Sequence, residues 1–198
     1  MCCNNAGQCG FRQNHMTQKL KISSTLDTFP KLLGDLVSSR GESVAIREKN
    51  YGIWQSWTWR DYSEEASAVA NSLAKSGFNR GDKLTIIGDN RPELYFGIMA
   101  SQMLGGVPVP IYQDSIAEEM VYILQHAEVR FAIVEDQEQV DKLLAIRDKL
   151  PNLEFIIYED ARGLGHYEER GLMSYDSARK EGLSFAEENP SFLSDEIQ

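Results

Sequence analysis

Between Lys83 and Tyr158, short runs of β-branched and aromatic residues alternate with segments whose apolar residues recur every three or four positions. Lys83–Gly88 (KLTIIG), Val107–Ile111 (VPVPI), Val129–Val134 (VRFAIV) and Leu153–Tyr158 (LEFIIY) have the length and composition of buried strands. Pro92–Leu104 between them reads as a helix apolar almost all round, hence buried between layers. Ser115-Ile116-Ala117-Glu118 reads as a capping box opening a helix with Ile116, Met120, Ile123 and Leu124 inward. Asp136 caps a further helix that carries Val140, Leu143 and Leu144 and stops at Pro151. Parallel strands need crossovers of this size, so the rhythm predicts an α/β fold with a mostly parallel sheet flanked by helices. Pro108 and Pro110 lack the N–H of a ladder and push their strand toward a sheet edge or a non-paired register.

Upstream, Phe29–Ser39 has the stripe of an amphipathic helix, with Phe29, Leu32, Leu33 and Leu36 on one side. Ser43–Glu48 and Ile53–Thr58 read as a β-hairpin around Lys49-Asn50-Tyr51-Gly52, with Trp57 and Trp59 on one face and Trp54 on the other. The aromatic face is expected to pack under a helix. Thr58 and Asp61 mark the start of a helix running to about Ser76 and closed by Gly77. Three regions are therefore expected: an unstructured leader at 1–17, a partial domain at 18–160, and a loop, short helix and acidic tail at 161–198. In the last, Ser174–Glu181 is the helix, Gly182 its end, and Phe185–Gln198 a tail with nothing to pack on. The pattern breaks off in mid-course, which suggests truncation. An open sheet edge beside an all-round apolar helix predicts poor solubility of the chain alone.

The chain has 30 acidic and 20 basic residues and a net charge of −10. It has no basic stripe with interleaved aromatics, which argues against nucleic acid as a partner. Cys2, Cys3 and Cys9 crowd the first nine residues and leave the core without a disulfide, as in a reducing cytoplasm. Their spacing, with only His15 nearby, does not suit zinc. Met16 precedes the first patterned segment and is an alternative start. No apolar run approaches the roughly 20 residues needed to span a bilayer.

Signals for chemistry are sparse. Gly163-Leu164-Gly165 lacks the third glycine and the lysine of a phosphate loop, and Gly105-Gly106 ends a helix instead of opening one. His15, His126 and His166 are scattered; His126 suits a helix C-terminus, where a cation complements the dipole. One polar cluster, Asp89-Asn90-Arg91-Pro92-Glu93, stands at the carboxyl end of a strand, where parallel sheets bind ligands. Asp89 or Asn90 can equally cap the helix that begins at Pro92, and that role is preferred.

Four ordered strings carry a family resemblance: Ile53–Tyr62 (IWQSWTWRDY), Gly81–Leu84 (GDKL), Gly88–Glu93 (GDNRPE) and Gly105–Tyr112 (GGVPVPIY). Together with Ala117–Leu144 they resemble the opening of adenylate-forming (AMP-binding) enzymes of the long-chain fatty acid–CoA ligase type. The resemblance implies part of that family's large N-terminal domain. It implies a fatty acid substrate, ATP, Mg²⁺ and CoA for the whole enzyme, and a cytoplasmic protein with room for a homodimer contact and a peripheral membrane contact. The family's serine/threonine/glycine-rich loop ending in lysine, and its later motifs, have no counterpart here. Asp195-Glu196 resembles the acidic lead-in to that loop. No catalytic, cofactor-binding or metal-binding residue is therefore assigned, and the chain is expected to be inactive by itself. The alternative is a standalone non-catalytic α/β binding or regulatory module. A flavodoxin-like or receiver domain fits the alternation but not the hairpin or the missing strand-end aspartate pocket.

Overall fold

The computed structural model describes residues 25–197. The leader expected at 1–17, with its cysteines, His15 and Met16, lies outside the described residues. In chain order the elements are α1 (Phe29–Arg40), β1 (Val44–Asn50), β2 (Ile53–Thr58), α2 (Trp59–Lys75), β3 (Lys83–Ile87), α3 (Pro92–Met103) and β4 (Val107–Ile111). There follow α4 (Ala117–His126), β5 (Phe131–Val134), α5 (Gln137–Ala145), β6 (Phe155–Tyr158), β7 (Leu172–Ser174), α6 (Tyr175–Glu188) and α7 (Phe192–Ile197). β1 and β2 form an antiparallel hairpin, and the other five strands form one parallel sheet in the order β4-β3-β5-β6-β7.

Side chains alternate across a strand, so each strand feeds two cores. Leu84, Ile86, Phe131, Ile133 and Ile157 pack on the face covered by α2, α3 and α6. Ile87, Ala132, Val134 and Ile156 pack on the opposite face against α4 and α5. Each four-residue strand is hydrophobic on both faces, and this is why it reads as a continuous apolar run. β4 is an edge strand, as its prolines require. The Val107 N–H donates to the Asp82 carbonyl at 2.9 Å. With that register, Val107, Val109 and Ile111 turn their polar groups to β3, while Pro108 and Pro110 face outward, where no N–H is needed.

α2 begins in a full capping box. The Thr58 hydroxyl accepts from the Asp61 N–H at 3.2 Å, and the Asp61 carboxylate accepts from the Thr58 N–H at 2.8 Å. Gly77, at φ +87°, closes the helix in the left-handed conformation.

The structure corrects several expectations. Trp59 lies at the first position of α2 and not on the strand, yet it and Trp57 pack against the same core. α4 is capped by Ile116 with no side-chain bond, one residue later than the capping-box reading of Ser115. Of the four residues expected inward, Ile116 and Ile123 are exposed, while Met120 and Leu124 are inside. Gly182 does not end a helix. It sits inside α6, where it lets the backbone of α6 approach that of α2: a Cβ there would run into the Ala68 carbonyl. The tail does pack, since α7 sets Phe192, Leu193 and Ile197 against the core beside α2 and α3. β7 had no forewarning, being only three residues long.

Candidate functional site

In a parallel sheet, all strands deliver their carboxyl ends to one edge, and the crevice opens where neighbouring crossovers leave for opposite faces. Here that point lies between β3 and β5, since α3 leaves β3 toward one core and α5 leaves β5 toward the other. The crevice is filled by the chain's own side chains. Gly88, the residue after β3, adopts φ +156°, and a Cβ on it would stand 2.6 Å from the Glu135 Cβ and 2.8 Å from Leu94 Cδ1. Without a side chain at 88, Glu135 can lie across the end of β3. Its Oε2 accepts from the Asp89 N–H at 2.6 Å and its Oε1 from Arg91 Nε at 3.0 Å.

Arg91 then reaches the hairpin, donating from Nη1 to Glu48 Oε1 at 2.6 Å. Held by hydrogen bonds to Glu48 and then Glu135, the guanidinium is pushed further above its ordinary pKa and stays charged. The hairpin tip makes a second contact with this edge, Arg162 Nη1 to the Tyr51 hydroxyl at 3.5 Å. Arg162 itself pairs with Asp160, whose carboxyl is held below the usual range, chiefly by that hydrogen bond.

Two further carboxylates complete the edge. Burial pushes Glu93 upward. Burial first, then the charges of Glu93 and Asp160, pushes Glu159 up to about 7. A backbone hydrogen bond to Glu93 only partly offsets its shift. Both stand in partly desolvated surroundings where like charges outnumber the one nearby guanidinium.

Beside the filled crevice, between the ends of β3 and β4, lies an open cleft of about 400 Å³ lined by Gly88–Asn90 and Pro110–Asp114. Gln113 braces it: Nε2 donates to Asp89 Oδ1 at 2.8 Å, and its carbonyl accepts from Lys142 Nζ at 2.6 Å. A larger cavity of about 560 Å³ runs among Leu32, Leu36, Ile46, Trp59, Tyr62 and Met99, but its lining is apolar apart from Asp35 and Arg40. The polar chemistry is at the strand ends.

The cluster Asp89–Glu93 thus sits where its sequence position places it, but not in the preferred role. Arg91, not Asp89 or Asn90, is the N-cap of α3, and it makes no side-chain cap bond. Pro92 at the first helical position has no N–H to satisfy, and the other two side chains are engaged elsewhere, Asp89 with Gln113 and Asn90 with the Tyr95 hydroxyl at 3.0 Å. Glu135, Glu48 and Glu159 escaped the sequence reading. The signal for Glu135 and Glu159 was present, because each directly follows a buried strand just as Gly88-Asp89 does. His126 closes α4, stacked on Tyr122 with ring centroids 5.8 Å apart, and His166 is exposed in a turn. Leu164, between the two glycines of the apparent phosphate loop, is a buried core residue.

Comparison with known proteins agrees with this architecture. Residues 36–191 match the family described as AMP-binding enzyme. Long-chain-fatty-acid–CoA ligase ACSBG2 of Xenopus laevis is 31% identical over 134 residues, which are 67% of this chain and 18% of the relative. 4-Hydroxybutyrate–CoA ligase 2 of Metallosphaera sedula is 34% identical over 118 residues, 60% of this chain and 20% of the relative. The chain therefore spans no more than 20% of the length of these curated relatives. Among solved structures, the anthranilate CoA ligase AuaEII in complex with anthranoyl-AMP superposes with a TM-score of 0.67 at 24% identity, over 77% of this chain and 28% of that one. Acetoacetyl-CoA synthetase from Streptomyces lividans gives 0.68 at 18% identity, over 77% and 25%. At these identities the structures speak for the fold, and the family match over most of the chain speaks for descent. The chain belongs to the AMP-binding enzyme family.

Proposed function

We propose that this chain is the N-terminal part of a long-chain fatty acid–CoA ligase and that it adenylates nothing by itself. In the whole enzyme's reaction, a fatty acid carboxylate oxygen attacks the α-phosphorus of ATP and pyrophosphate leaves. The CoA thiolate then attacks the acyl carbon of the adenylate and AMP leaves. The observation that carries the proposal is the family match at 36–191, together with relatives named as long-chain fatty acid–CoA ligases of which this chain spans less than a fifth.

The state of the strand ends supports a scaffold role. Arg91 is committed to Glu48 and Glu135, and Lys142 to Gln113 and Glu138, so neither cation is free to offset phosphate charge. Among the described residues, no three acidic, histidine or cysteine side chains stand together to hold a metal ion, so these residues do not fit Mg²⁺ and no step is drawn through it. The chain's part is to pin the hairpin, α3 and the strand ends into one wall that later polypeptide completes. The homodimer and the peripheral membrane contact implied by the resemblance belong to the same proposal.

The test is product analysis. The chain, and a polypeptide extended through the following reading frame, are each incubated with palmitate, ATP, Mg²⁺ and CoA, and the mixtures are read by mass spectrometry. Palmitoyl-CoA and AMP are expected from the extended protein only. Thioester from the chain alone overturns the scaffold role, and none from the extended protein with any acid overturns the ligase assignment.

A further inference from the structure

Register sets a row of residues one step beyond the carboxyl ends of the sheet. Ile87 pairs with Val134, Val134 with Tyr158 and Tyr158 with Ser174, so Gly88, Glu135, Glu159 and Tyr175 follow at one level. The Glu159 N–H still donates to the Val134 carbonyl at 2.9 Å, so the ladder holds to this level. Side chains alternate along a strand, and Ile133, Ile157 and Met173 lie in the core under α2, α3 and α6. Two residues on, Glu135, Glu159 and Tyr175 turn to that same face. There Arg91 ties the start of α3 to Glu135 and brings Glu93, in the first turn, alongside the row.

The row is short of cations. Glu48 and Glu135 share Arg91, Glu65 of α2 is taken by Arg179 of α6 at 2.7 Å, and Asp160 is taken by Arg162. Among the described residues nothing donates to the half-buried Glu159 carboxylate, and Glu93 has only its own backbone N–H. The Tyr175 hydroxyl has no partner either, although the residue is only 6% exposed. After burial, the charges of Glu65 and then Glu93 act most on that hydroxyl, so it is aimed into the same cluster.

A buried hydroxyl left unpaired is costly, and so are two half-buried carboxylates with no cation between them. A water molecule would satisfy the hydroxyl but not the charge. An ammonium or a guanidinium can donate to all three groups at once. A divalent cation needs more oxygen ligands than they supply, and among the described residues no three metal-binding side chains stand together.

We propose that Glu93, Glu159 and the Tyr175 hydroxyl seat one ammonium or guanidinium group, carried by a lysine or arginine of the polypeptide that follows this chain. The seat deepens the ligase reading by naming a contact through which the wall at the strand ends is completed. It rests on that reading for the source of the cation only.

The experiment is isothermal titration of the 198-residue chain with n-butylguanidinium chloride at fixed ionic strength, without nucleotide or thiol, against neutral n-butylurea. Saturable binding is expected for the cation and not for the urea. Glu93→Gln and Glu159→Gln, which keep the side-chain shape, each weaken it roughly ten-fold. Tyr175→Phe weakens it about three-fold with no loss of melting temperature, since only an unpaired hydroxyl is removed. Burial, then the charges of Glu93 and Asp160, push Glu159 up to about 7. The cation needs that carboxylate ionised, so binding strengthens roughly ten-fold from pH 6 to pH 8. The polypeptide extended beyond Gln198 should leave the probe unbound, its own cation being in place. The proposal is overturned if the chain binds butylurea as well as the cation, or binds neither. It is equally overturned if the two Gln variants and Tyr175→Phe, melting cooperatively, bind undiminished. Binding by the extended protein as strong as by the chain overturns the polypeptide as the source and leaves a free alkyl cation as the ligand. Thioester formation by the extended protein without probe binding by the chain defeats the seat alone, and the reverse defeats the ligase reading alone.

Discussion

Gly88 and Glu135 hold the strand ends together by a division of labour between a missing side chain and a charged one. Gly88→Ala puts a methyl group 2.6 Å from the Glu135 Cβ in a backbone region that side chains rarely adopt. The expected cost is about 2–3 kcal/mol, read as a lower urea midpoint at unchanged slope. Glu159 makes a separate prediction. Its folded pKa of about 7 stands above the 4.5 of the unfolded chain, so between these values the native state binds more protons. The Glu159 contribution is therefore fully present below pH 4.5 and is lost as pH rises through 7. Asp160 acts in the opposite sense, losing its contribution as pH falls through its depressed value. Melting temperature should fall from pH 5 to pH 8 in the native chain, and Glu159→Gln should flatten that fall. A native profile that rises across this interval, or a variant with the same slope, would contradict the assignment.

At the scale of elements, the packing of α6 on α2 has a single point of closest approach at Gly182. Gly182→Ala, though it raises helix propensity, should lower stability by about 1–3 kcal/mol, because the methyl group must displace the Ala68 backbone. Differential calorimetry would decide, and a stabilised variant would mean the helices have slack. This residue also shows what the sequence could and could not convey. A glycine after a helical stretch reads as a stop, since local chemistry is the same for a terminus and for a helix–helix contact. What separates them is a partner more than 100 residues away in the chain. The strands β3, β5 and β6, the extended β4 and the capping box at Thr58 were legible because local patterns fix them: apolar runs, ladder-breaking prolines and a hydroxyl three residues from an acid. β7 and the docking of α7 were not, since three residues carry no period and a partner face cannot be read from a short acidic segment. At the site, the position of Asp89–Glu93 followed from its place after a strand. The partners of Arg91 did not, as Glu48 and Glu135 come from elements 43 and 44 residues distant.

As a whole molecule, residues 25–197 form one parallel sheet with a core on each face and a hairpin clamped over the carboxyl edge through Arg91 and Arg162. The apolar helix α3 lies largely in one core, while β4 stays at the sheet edge with its donorless prolines turned outward. Among the described residues, Arg91, Lys142 and Arg162 at the strand ends are each paired with carboxylates, which favours the supporting part proposed for the chain. The direct test is ATP–pyrophosphate exchange with palmitate, run on this chain and on the polypeptide extended beyond Gln198. Exchange is expected from the extended protein and none from the chain. Exchange by the 198 residues alone, or silence from the extended protein with every acid tried, would contradict it.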